Sequence, residues 1–135
     1  MTAPFRYEIY RRYGDIDQLK HVNNVVYFDY LQDARVGLLF DIWHSTMREL
    51  QQVLVHQEMS YRKPLLMSLE PIVVEVWVRK IGNASYTLGY RILDDNGDLA
   101  AEASTTMATI DPATGRPSRL PDDLRDVLAG LRIEA

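Results

Sequence analysis

The strongest constraint on the fold is a single apolar stripe. Tyr27, Leu31, Ala34, Leu38 and Ile42 recur at spacings of four and three, the signature of a helix that buries one face. Phe28, Tyr30 and Leu39 widen the stripe, while Asp29, Gln32, Asp33 and Arg35 supply polar positions. The spacing predicts a helix from Asn24 to Ile42, roughly 28 Å long at about 1.5 Å per residue. Asn23 or Asn24 suits its N-cap. Gly37 in its interior costs about 1 kcal/mol relative to Ala, which close packing against a sheet would justify. Thr46 to Glu49 fits a capping box for a short second helix.

A helix with so broad an apolar face needs a large partner, and the rest of the chain supplies one. Phe5 to Tyr13 reads as a first strand. After the helix, Leu54–Lys63, Ile72–Lys80, Ala84–Leu93 and Leu99–Ile110 are strand-like. Val74, Val76 and Val78 alternate with Glu75, Trp77 and Arg79; Tyr86, Leu88, Tyr90 and Ile92 alternate with Thr87, Gly89 and Arg91. That is period two. Asn96-Gly97 between the last two runs is a hairpin signal. Pro121, Asp122 and Asp123 then open a helix carrying Leu124, Leu128 and Leu131. Strand, long helix, then four strands joined by turns argues for an α+β fold: one antiparallel sheet of about five strands wrapped around one long central helix. Periodicity does not supply the strand order.

The chain has 135 residues, which suits a single domain, residues 1–135. Its formal net charge is -4, and no basic patch marks a nucleic-acid partner. Arg11-Arg12, Arg62-Lys63 and Arg79-Lys80 are isolated dipeptides, read either as solvated charge beside strands or as local attraction for a phosphorylated ligand. There is no cysteine, which excludes disulfides, thiolate metal sites and a cysteine nucleophile. His21, His44 and His56 lack metal-ligand spacing, so no metal is expected. No run reaches the roughly 18 apolar residues of a membrane span, and Met1–Arg6 lacks an apolar stretch of signal-peptide length. A cytoplasmic protein with no membrane partner is the expectation.

Chemistry concentrates before the long helix. Within Asp15 to Asn24 lie two carboxylates, an imidazole and carboxamides. They lead into a helix N-terminus, where unpaired N–H groups and a partial positive charge suit an oxyanion. A carboxylate just upstream can activate water or attack a carbonyl. Each residue has a plainer reading: Asp15 and Asp17 as loop or capping carboxylates, His21 as a loop hydrogen-bonding group, Asn23 and Asn24 as caps, Tyr27 as core. The residues alone mark a site without choosing its reaction.

The pattern Asp15-x-Asp17-x-x-x-His21-Val22-Asn23-Asn24-x-x-Tyr27, with Ala34-Arg35 beyond it, resembles the signature of the 4-hydroxybenzoyl-CoA thioesterase-like hotdog family. Tyr61-Arg62-Lys63-Pro64 resembles that family's Tyr-Arg-x-Pro, and Asp111 to Pro117 its final turn. The resemblance implies a hotdog fold and hydrolysis of acyl-CoA, or sometimes acyl-carrier-protein, thioesters. It places the catalytic carboxylate on Asp17, with His21 and Asn23 beside the thioester, and oxyanion donors in the backbone of Asn24 and Val25. Tyr27, Arg62, Lys63, Arg79 and Lys80 become candidates for substrate contact, the cations for the phosphates of CoA. No cofactor is implied, CoA being part of the substrate, and a homodimer or homotetramer is implied. Many family members carry Gly where this chain has Lys20, so Lys20 is expected to avoid conformations that Gly alone takes easily; a CoA phosphate is a conceivable partner for it. The rival readings are a hotdog enoyl-CoA hydratase, whose Asp–His spacing is one residue longer, and a non-catalytic acyl-CoA-binding module.

Overall fold

Five strands form one wholly antiparallel sheet in the order β1-β3-β4-β5-β2. The computed structural model describes residues 3–47 and 51–133. The strands are β1 (Phe5–Ile9), β2 (Gln52–Tyr61), β3 (Ile72–Ile81), β4 (Ser85–Leu93) and β5 (Leu99–Thr109). Helix α1 (Val26–Met47) separates β1 from β2, and α2 (Asp122–Gly130) follows β5.

Pairing registers put the apolar half of each alternation on one face. Tyr7 pairs with Val74 and Val74 with Ile92; Val76 pairs with Tyr90 and Tyr90 with Ala103. Onto this face α1 lays Tyr27, Tyr30, Leu31, Ala34 and Leu38, all buried. Each such leucine contributes about 1.5–3 kcal/mol relative to leaving it in water. The helix sits mainly over β1 and β3. Gly37 makes that approach possible: a Cβ there would stand 2.5 Å from Tyr7 Cε1. Leu124 and Leu128 of α2 are buried against β3 and α1.

The elements match the sequence expectation in type and differ at their ends. The first strand stops at Ile9 rather than Tyr13, because its partner β3 begins at Ile72, opposite Ile9, and residues 13–15 form a 3₁₀ turn. α1 runs past the expected end at Ile42 to Met47. Thr46 and Met47 therefore continue α1, and the rest of the expected second capping box, Arg48 and Glu49, lies outside the described residues. β2 is an edge strand, pairing only with β5. Its Val53, Leu54 and Val55 are exposed, as are Val36 and Phe40 of α1.

Candidate active site

The loop between β1 and α1 is anchored by one carboxylate and presents another. Asp15 is buried. Its Oδ2 accepts the Arg12 N–H at 2.9 Å and the Tyr30 hydroxyl at 2.7 Å, and the Arg12 guanidinium stands 3.2 Å from Oδ1. Burial alone pushes its pKa up, but the Arg12 N–H, the Tyr30 hydroxyl and the Arg12 charge outweigh that and hold it below the usual carboxylate range. Asp15 is thus a structural tie to the central helix.

From this anchor the chain folds back on itself. Ile16 and Val22 form a bridge, and Asp17 donates its N–H to the His21 carbonyl at 3.0 Å. Lys20 donates back to the Asp17 carbonyl at 2.9 Å. Such a turn ends in a left-handed residue, and Lys20 takes that place with φ of 70°. The expectation that Lys20 avoids this region is therefore wrong: the turn's hydrogen bonds impose it. The left-handed form costs a residue with a Cβ about 1–2 kcal/mol, and Gly loses about 0.5–1 kcal/mol in chain entropy. Lys20→Gly is therefore expected to raise stability by up to about 1 kcal/mol, read from urea unfolding. A loss of stability instead would show that the lysine side chain makes contacts worth more than the strain.

Asp17 sits at the open tip. Its Oδ1 accepts the Leu19 N–H at 2.9 Å and lies 3.9 Å from His21 Nδ1. Its Oδ2 has no partner among the described residues. The Asp17 and His21 side chains are 26% and 32% exposed, so solvent and ligand reach both. Asp17 and Lys20 line a cavity of about 540 Å³, with Tyr13, Ile16 and Met67. His21 lines a second one, of about 330 Å³, with Asn24, Tyr27, Tyr61, Arg62 and Lys63. The turn contributes to both cavities, Asp17 to one and His21 to the other, with 3.9 Å between carboxylate and imidazole.

The start of α1 opens on the second cavity. Asn23 is the cap: its Oδ1 accepts the Val25 N–H and its carbonyl the Val26 N–H, both at 2.9 Å. Of the two expected oxyanion donors, Val25 is therefore already engaged. The Asn24 N–H has no acceptor among the described residues. Tyr27 is buried and accepts the Leu65 N–H at 3.1 Å on its hydroxyl, which makes it core and cavity wall at once.

The cations distribute less simply than their sequence positions suggest. Arg62 is paired with Glu102 at 2.7 Å, and Lys63 with Asp94 and Asp98 at 2.8 and 3.2 Å. Any phosphate at these two competes with carboxylates already in place. Arg79 lines a separate depression of about 210 Å³ with Glu58, Ser60 and Ser104; it is the unpaired residue at an irregularity of β3, and its side chain lies beside Trp77 over Gly89, on the sheet face opposite the buried Val76 and Val78. Lys80 lines neither cavity beside the Asp17 turn. Within one chain, then, Arg79 and Lys80 stand apart from the Asp17 turn. Arg11, half of a dipeptide read as solvated charge or phosphate attraction, is instead buried and spent on neighbouring carbonyls. Tyr61, expected only as part of a motif, reaches the helix start and joins the cavity wall.

A curled antiparallel sheet holding a central helix, with polar groups gathered at the helix start, defines a hotdog protein. The profile of the Thioesterase-like superfamily matches residues 12–128, and the chain belongs to that superfamily. It is 28% identical over 118 residues to the long-chain acyl-CoA thioesterase FadM of Escherichia coli, an alignment covering 84% of this chain and 88% of FadM. A thioesterase from Thermus thermophilus, solved as a complex with coenzyme A and zinc, superposes with a TM-score of 0.82 at 26% identity, covering 96% of this chain and 95% of that one. A structure described as a predicted thioesterase from Bacillus stearothermophilus superposes with a TM-score of 0.88 at 23% identity, covering 98% and 99%; that likeness is one of fold.

Proposed function

We propose that this chain hydrolyses acyl-CoA thioesters to the free acid and CoA, with Asp17 as general base or nucleophile. The observation that carries the reading is the Asp17 turn. It holds an open carboxylate 3.9 Å from His21, and His21 shares a cavity with Asn24 at the start of α1. Superfamily membership and the relation to a named acyl-CoA thioesterase support the substrate class.

In this reading the thioester carbonyl lies between the turn and the helix start. As a base, Asp17 takes a proton from water while the oxygen attacks the carbonyl carbon. The tetrahedral oxyanion is met by the Asn24 N–H and the positive end of α1. Collapse breaks the C–S bond and releases CoA as a thiolate, which is then protonated. As a nucleophile, Asp17 Oδ2 would form a mixed anhydride as the thiolate leaves, and water would hydrolyse the anhydride in a second step. The two routes differ in where solvent oxygen goes. Single-turnover reaction in ¹⁸O-water labels the Asp17 carboxyl only if the anhydride forms and water attacks its Asp17 carbonyl.

His21 and Asn23 support the turn and the helix cap, and Tyr27 shapes the cavity. The CoA phosphates lie outside, within reach of Arg62 and Lys63; Arg79 and Lys80 join them only from another subunit. The open edge of β2 and the exposed Val53, Val55 and Phe40 support a homodimer or higher homo-oligomer, since a bare edge strand invites pairing. Among the described residues no helix is long and apolar enough to cross a membrane, and a cytoplasmic site of action fits the substrate.

The test is thiol release across a panel of saturated, unsaturated and aromatic acyl-CoAs and an acyl-carrier protein, with oligomer mass measured alongside. The chain has no cysteine, so a thiol reagent reports released CoA free of background from the enzyme. Turnover of at least one class is expected. Silence across the panel would overturn the hydrolase reading, and loss of the conjugated double bond of an enoyl-CoA without thiol release would point to hydration.

A further inference from the structure

Tyr61, the last residue of β2, touches the part of the helix start that the chemistry depends on. Its hydroxyl donates to the Asn24 carbonyl at 2.8 Å. In a regular first turn that carbonyl would receive the Phe28 N–H; here Phe28 donates to Val25 instead, at 3.1 Å. The Asn24 carbonyl is thereby left for Tyr61. The Tyr61 ring stands edge-on to Tyr27, 5.0 Å between centroids at 76°, and Tyr27 is pinned by the Leu65 N–H. Asn24 is therefore gripped from two directions. The peptide that joins Asn24 to Val25 is thus held at both ends, its N–H by Asn23 and its carbonyl by Tyr61, and this sets the backbone torsions that carry the Asn24 N–H.

We propose that Tyr61 is a positioning residue for thioester hydrolysis, holding Asn24 so that its unpartnered N–H stays aimed at the substrate carbonyl. This rests on the acyl-CoA reading. Without the hydroxyl, the Asn24 carbonyl is free to take the Phe28 N–H. The first turn would then regularise and carry the Asn24 N–H out of line. Burial pushes the Tyr61 phenol above its ordinary pKa, which keeps it a donor across the neutral range.

Tyr61→Phe tests this, because it removes one oxygen and keeps the ring on Tyr27. The expected result is a fall in kcat of about tenfold to a hundredfold, the scale of a misaimed oxyanion donor, with KM rising by up to about tenfold because the bound thioester carbonyl loses the same donor. Two non-hydrolysable ligands separate positioning from general damage. A dethia acyl-CoA, with CH₂ in place of sulfur, keeps the carbonyl and should bind about tenfold more weakly to the variant. A thioether analogue lacking the carbonyl should bind both proteins equally. Equal weakening of the two ligands, or an unchanged kcat, overturns the role of Tyr61. Asp17→Asn, assayed in parallel, separates the layers. Loss of activity there with full activity in Tyr61→Phe removes only the positioning role. A native chain that neither releases thiol nor binds either analogue removes the acyl-CoA reading and this inference with it.

Discussion

Asp17→Asn is expected to lower kcat for acyl-CoA hydrolysis by about 10³-fold or more, while leaving the folded state nearly untouched. Both halves follow from the turn. The carboxylate's one hydrogen bond among the described residues, the Leu19 N–H on Oδ1 at 2.9 Å, is one that an amide oxygen accepts equally well. The side chain is 26% exposed, so the substitution creates no cavity and buries no unpaired group. A surface change of this kind shifts stability by about 0.5 kcal/mol or less. The chemistry has no such tolerance. A carboxamide neither takes a proton from water nor forms an anhydride, and general-base catalysis alone is worth about 10²–10⁴-fold. KM should move little if binding rests on the acyl chain and the CoA moiety. Steady-state kinetics beside a urea unfolding curve makes the check. Activity within about tenfold of the native chain would remove Asp17 from the reaction, whatever the fold.

Asp15 and Asp17 show how far the sequence could be read. Two acids one residue apart look interchangeable, yet one is buried beneath Tyr30 and Arg12 and the other stands at the tip of a turn. What separates them is Tyr30, a residue of the central helix whose position over the loop is a tertiary fact. The helix stripe and the alternating strands were legible because burial on one face forces a period. The strand order, with β2 beyond β5, was not, because antiparallel pairing of consecutive runs fits several arrangements. The helix end was misplaced for a local reason: between Gly37 and Pro64 there is neither Gly nor Pro, so nothing in that stretch announces a stop. Lys20 hid its turn for the opposite reason. A glycine there would have signalled the left-handed residue that closes the turn, and the lysine occupies it at a cost. Tyr61 and Arg11 were legible only as motif or charge, since their partners lie 37 and 55 or more positions away.

Arg11→Ala is expected to cost about 3–5 kcal/mol of stability, from two carbonyls left without their donor at about 1–3 kcal/mol each and the lost packing of a buried stem. The Arg11 side chain is 1% exposed. It donates to the carbonyls of Leu66 and Glu70, each at 2.6 Å, and reaches Asp95 at 3.2 Å. These two carbonyls belong to the segment between β2 and β3, which has little regular structure of its own. That segment also holds the site: the Leu65 carbonyl receives the Val22 N–H at 2.8 Å, Leu65 donates to Tyr27, and Leu66 bridges to His21. Truncating Arg11 leaves two carbonyls without their donor and opens a void against the segment that backs His21 and Tyr27. Against a total of about 5–15 kcal/mol for a domain of this kind, the loss should lower Tm by roughly 10–20 °C. Activity should fall even where the variant is still folded, because His21 and Tyr27 lose their backing. Arg11→Lys should recover only part of the stability, since an ammonium lacks the fork that reaches both carbonyls and the carboxylate at once. Asp95→Ala should cost far less, because Asp95 is 27% exposed and its removal leaves both carbonyl bonds intact. Urea unfolding of the three variants decides the matter. If Arg11→Ala lies within about 1 kcal/mol of the native chain, the clamp is not what holds this segment, and the support of the His21 side of the site must come from β2 and Tyr27 alone.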